Sequence, residues 1–244
     1  MLDYLKKHPF AVTAHFDYSL VLTFAVPRSQ LTTLLPPPLS LDTYQDAFGF
    51  VAVAMVRTRR LRPSFMPSFL GQNFFLVGYR IFVRYQSKTG KNLRGLYILH
   101  SETDSYKMEL LGNIFTRYRY RTTDICRRRA GKQTEIFSEK SDFHLTYLEP
   151  APSVNLPLGS PFPTWKTARR YAGPLPHTFS YDTAKKEMLI VKGLRQNWQP
   201  QPVEILNYRF SFLEQPQFAN AVLANAFIIK NIPYKWEKGR TEQL

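Results

Sequence analysis

Three long apolar runs lie almost end to end between residues 47 and 101: AFGFVAVAMVRTRR at 47–60, FFLVGYRIFVRY at 74–85 and LRGLYILHS at 93–101. Each is dense in β-branched and aromatic residues, which suit strands better than helices. Pro63, Pro67 and Gly71 mark the first connection. The second, KTGKN at 88–92, offers Gly90 for the positive φ of a tight hairpin. Alternation in 47–60 is imperfect, so that strand is expected to be covered on both faces. Long antiparallel strands in immediate succession restrict the chain to a mainly β fold.

The flanking segments agree. Residues 10–16 and 19–26 read as two extended stretches. Pro27 opens a short helix, PRSQLTTLL, because proline suits a first helical turn. Pro36, Pro37 and Pro38 stop it, since proline lacks an amide donor and restricts its predecessor. A turn at Gln45-Asp46 leads into the long strand. Asp104 or Ser105 can cap a helix running to about Asn113. Strands are expected at 118–126, 133–137, 143–148, 179–181, 187–191, 203–213 and 226–236. A proline-rich loop covers 149–163, a short helix 165–171, a helical turn 217–223 and a frayed tail 238–244. No fixed-period repeat interrupts this order, and 1–244 reads as a single domain.

Charge narrows the partners. There are 33 basic and 18 acidic residues, a formal net charge of +15, which attracts anions without selecting one. Cys126 is the only cysteine, so no intrachain disulfide can form; within a strand it reads as a small buried hydrophobe. The first ten residues lack a secretory apolar stretch, and the longest apolar run, 47–56, is too short to span a bilayer as a helix. A cytoplasmic protein without a membrane span is expected. The five histidines are scattered, with no metal-ligand spacing. Phosphate-binding glycine loops and a nucleophile elbow are absent, so neither metal nor cofactor is expected.

The segments LLPPPLSLDTYQDAFGFVAVAMVRTR, NFFLVGYRIFVRY, GLYILHSETDS and NIFTRYRY resemble, in order and spacing, an uncharacterised bacterial family (YqjF-like) distantly related to acetoacetate decarboxylase. The resemblance is clearest over 10–122 and looser beyond, through WKTARRY and PVEILNYRFSF. It implies an antiparallel closed or strongly curved β-barrel with a few short helices and an internal pocket. In the decarboxylase a lysine amine attacks a ketone to form an imine, which takes up electrons as carbon dioxide leaves. The matching position falls on Arg117, Tyr118 or Arg119, and no lysine occurs from 108 to 131. A guanidinium cannot replace that amine, because it stays protonated. The glutamate of the decarboxylase falls on Leu76. The resemblance therefore implies the container without the imine chemistry.

Leu76, Gly78 and Arg80 share one strand face. If that face lines the pocket, Arg80 is the main anchor for a carboxylate or phosphate, with Arg117 or Arg119 nearby and Tyr118 and Tyr97 on the wall. The alternative is that Arg80 pairs with Glu102 or Asp104, since buried arginines are usually paired. Glu102 and Asp104 match an acidic pair of the family and are the candidates for acid–base work. Otherwise Asp104 caps the following helix and Glu102 pairs with an arginine. Leu76, Phe74 and Phe82 could instead plug the barrel.

TRYRYRTTDICRRRAGK suggests a rival function: binding nucleic acid or an acidic partner through the surface running from Arg117 to Arg129. Alternation argues for buried tyrosines and solvated arginines, which separates the two residue types. The leading expectation is a pocket for a small anionic or carbonyl-bearing organic molecule. Assembly of like copies stays open.

Overall fold

The structure is a computed structural model and describes residues 2–149, 151, 155–172 and 175–244. In chain order its elements are β1 (Val12–Pro27), α1 (Arg28–Thr32), β2 (Leu39–Leu41), β3 (Phe48–Pro63), β4 (Gln72–Gln86), β5 (Asn92–Thr103) and α2 (Tyr106–Phe115). Then come β6 (Tyr120–Thr122), β7 (Cys126–Ala130), β8 (Gln133–Ser138), β9 (Phe143–Leu148), α3 (Trp165–Ala172) and β10 (His177–Asp182). The chain ends with β11 (Glu187–Arg195), β12 (Gln201–Pro202), β13 (Glu204–Phe210), β14 (Val222–Trp236) and β15 (Arg240–Gln243).

The pairing order β14-β1-β3-β4-β5-β10-β11 returns to β14 and closes a ring. Long antiparallel ladders join β14 through β5. Two short seams complete the circuit: β5 with β10, parallel, at Gly95 to Tyr97, and β11 with β14 at Gly193 to Arg195. Gly95 makes the parallel seam close, since a Cβ there would stand 2.4 Å from the His177 carbonyl oxygen.

Alternation sorts the side chains. Phe50, Ala52, Ala54 and Val56 of β3 point into the ring, where they meet Phe82, Phe227 and the α3 residues Ala168 and Tyr171. Phe50 and Tyr171 rings lie 4.4 Å apart, so α3 plugs that end of the ring. The opposite face of β1, β3 and β4 is covered by a second sheet, β13-β9-β8-β7, through Leu22, Met55 and Val77 against Ile136, Leu145 and Phe210. α1 and β2 cover more of the outside, with Leu31 and Leu41 against Val51 and Ile81. Burial on both sides explains the imperfect alternation of β3.

Several expectations need correction. Residues 10–16 and 19–26 join as one strand, β1, whose register shifts near Tyr18. The strand expected over 118–126 is cut: β6 stays on the ring through β5, while β7 edges the second sheet. Cys126 is exposed at that edge and not buried. The expected tail forms β15 on β11, and buried Glu242 accepts hydrogen bonds from Tyr85 Oη at 2.7 Å and the Lys88 amide at 2.9 Å. The loop expected over 149–163 lies partly outside the described residues. Among the described residues no helix is long and apolar enough to cross a membrane.

Candidate functional site

On β4, Leu76, Gly78, Arg80 and Phe82 face into the ring. Leu76 and Phe82 lie with the interior cluster. Gly78 makes room for Arg80: a Cβ there would come within 2.9 Å of its Nε and 3.0 Å of an Nη. The guanidinium is thus folded back along its own strand. Nε is buried and has no hydrogen-bond partner. Burial pulls the Arg80 guanidinium below its ordinary value, opposed by Tyr120, Tyr234 and Tyr118. Yet Arg80 is half-buried by accessible surface, as are Leu76, Leu96, Ile98 and Tyr120.

Tyr118 and Tyr120 come from the segment after α2, and Tyr234 from β14. Ser105, not Asp104, caps that helix by accepting from the Met108 amide at 3.2 Å. Near the helix end, Asn113 holds the Tyr120 backbone twice, Oδ1 accepting from its amide and Nδ2 donating to its carbonyl, each at 2.9 Å. The Tyr118 and Tyr120 rings are 6.2 Å apart. Burial pushes the Tyr120 phenol up to about 12, opposed by Arg80. Burial also pushes Tyr118 up, helped by Tyr120 and Tyr234. Both phenols are therefore neutral near pH 7 and cannot balance the arginine's charge.

A second arginine, absent from the sequence expectations, shares this region. Arg195 ends β11, its Cζ 4.4 Å from the Trp198 ring centre and 5.6 Å from that of Tyr234. One Nη donates to the Leu175 carbonyl at 2.7 Å. Burial pulls Arg195 down, Tyr234 opposes this, and Arg80 adds to it. Among the described residues neither arginine is ion-paired with a carboxylate.

The other expected residues lie elsewhere. β5 carries an extra residue, Leu99, opposite Tyr79/Arg80, so Arg80 faces Ile98 while Val77 faces Glu102. Glu102 is consequently on the outer face, 3.7 Å from His100 Nε2 and beside Tyr79. Tyr97, opposite Ile81, packs on the outer cluster and does not line the interior. Asp104 accepts from the Phe75 amide at 2.7 Å and pairs with Arg57 at 3.5 Å. Neither acid reaches Arg80. Arg117 pairs with Asp182 at 2.7 Å, and Arg119, at φ 54°, is exposed. Of the expected ligand-binding residues, Arg80, Tyr118 and Leu76 come together in the ring. Arg117, Arg119 and Tyr97 do not join them. Phe82 fills the α3 end, and Phe74 is buried. Every lysine is exposed except Lys7, which is ion-paired with Glu187 at 2.7 Å.

The fold is that of the acetoacetate decarboxylase-like proteins. An acetoacetate decarboxylase from Legionella pneumophila superposes with a TM-score of 0.65 at 10% identity, covering 96% of this chain and 88% of that one. An acetoacetate decarboxylase-like enzyme from Sphingomonas wittichii RW1 gives 0.62 at 11%, covering 98% and 94%. The enduracididine biosynthesis enzyme MppR, complexed with pyruvate, gives 0.53 at 9%, covering 96% and 88%. The chain itself belongs to the DUF2071 family, described as an uncharacterized conserved protein, which matches residues 13–234. No curated protein matches it.

Proposed function

We propose that the ring binds a small anionic or carbonyl-bearing organic molecule against Arg80, with Tyr118, Tyr120 and Leu76 beside it. The observation that carries this reading is a deep guanidinium with an unbonded Nε and no described carboxylate to balance it. Such a charge costs several kcal/mol unless an anion joins it. The pyruvate in MppR is a small oxo acid, and it supports the use of this fold for such ligands. In a panel of organic acids, the best binder at about a hundred times its Kd should stabilise the protein by about 2.7 kcal/mol. Arg80→Met should lose that shift. If no acid moves the melting temperature, the reading fails.

The same reading assigns no imine chemistry, because lysine amines lie on the surface. It assigns no acid–base pair either, since Glu102 and Asp104 lie off the interior. Borohydride added with acetoacetate should leave the protein's mass unchanged. A stable lysine adduct would contradict this. The rival basic surface is divided: Arg119 and Arg121 flank the ring at β6, whereas Arg127, Arg128 and Arg129 line β7 in the other sheet. Arg127 and Arg128 also lie over Tyr18 and Phe137. This separation favours the interior ligand over a continuous nucleic-acid track.

A further inference from the structure

Resting on the reading just given, we propose that the ligand of the ring is a dianion, a small dicarboxylate spanning Arg80 and Arg195. Arg195 lies over both Trp198 and Tyr234, and one Nη is anchored on the Leu175 carbonyl. These contacts fix the plane of its guanidinium while supplying no negative charge. Arg80 is folded over Gly78 with Nε unbonded. Both guanidinium groups are donors only. The hydroxyls of Tyr118 and Tyr120 add further donors once an oxygen-rich partner enters.

A monocarboxylate would balance only one of the two cations. The second charge would stay in a poorly solvated place, where breaking or omitting a pair is costly. Two carboxylates on one short carbon chain balance both and give each arginine a two-pronged partner. The described carboxylates do not supply this balance. Glu102 is turned outward by the β5 bulge, Asp104 is held by Phe75 and Arg57, and Asp182 is taken by Arg117. A phosphate monoester offers the same double charge in a compact form, so phosphate is the natural competitor.

Titration calorimetry with succinate, butyrate and inorganic phosphate tests the proposal on the full chain. Succinate should bind at least about ten times tighter than butyrate, a difference of about 1.4 kcal/mol. Arg195→Gln should remove most of that preference and leave butyrate affinity nearly unchanged. Arg80→Gln should weaken both acids. Circular dichroism melting of each variant shows that the fold survives the change. Phosphate binding tighter than succinate, with the same dependence on both arginines, would keep the dianion and overturn the dicarboxylate. Equal affinity for succinate and butyrate, or unaltered succinate binding in Arg195→Gln, would overturn the dianion and leave the Arg80 site standing. Failure of all three anions to bind wild type would overturn the dianion, while the Arg80 site itself falls only if no acid of the wider panel moves the melting temperature.

Discussion

Arg80→Met is expected to raise the stability of the unliganded protein by about 2 kcal/mol, measured as an increased denaturation midpoint. Most buried substitutions destabilise, so the sign is the informative part. Methionine keeps the unbranched stem that lies over Gly78 and adapts to irregular gaps. What it removes is a guanidinium whose Nε has no partner. Arg80 has no ion pair with a described carboxylate, so methionine abandons no acid. A stability loss in Arg80→Met would mean that the arginine holds the fold together.

Asp42→Ala is expected to do the opposite and cost roughly 3 kcal/mol. Asp42 is 1% exposed and stands between two arginines. Its Oδ1 accepts from Arg84 Nε at 2.8 Å and its Oδ2 from Arg94 Nε at 2.7 Å. Arg84 lies on the same face of β4 as Arg80, four residues on. Removing the carboxylate leaves two cations facing each other across neighbouring strands. They keep about 30% of their side-chain surface in water, which holds the loss to the low end for buried pairs. Asp46→Ala, which removes an exposed partner of Arg28, should cost less than about 1 kcal/mol. Urea denaturation of the three proteins checks the order. Equal losses for Asp42→Ala and Asp46→Ala would contradict it.

Arg84 and Arg80 show how local sequence and long-range pairing divide the information. Strand composition marked β3, β4 and β5, and alternation alone put Leu76, Gly78 and Arg80 on one face. The turn at Gly90 was readable from residue type, as was a helix cap at Asp104 or Ser105, and the structure decides for Ser105. Alternation on β5 was not enough, because one extra residue at Leu99 reverses the facing of everything beyond it. Tyr97 and Glu102 therefore both point outward despite their odd and even numbers. Arg195 carried no local signal: its place beside Tyr234 depends on the β11–β14 seam, which joins segments distant in sequence. The C-terminal strand was hidden for the same reason, since Glu242 finds Tyr85 across 157 residues. That no lysine occurs over 108–131 is read from the sequence directly, whereas where the lysines elsewhere in the chain lie needs the fold.

One melting experiment on four samples addresses the interior anion most directly: wild type and Arg80→Met, each with and without the most stabilising organic acid of the panel. Without acid, Arg80→Met should melt higher. With acid at about a hundred times its Kd, wild type gains about 2.7 kcal/mol, the variant gains nothing, and the order reverses. An order that stays the same in both conditions, or an equal acid-induced shift in both proteins, would contradict the account.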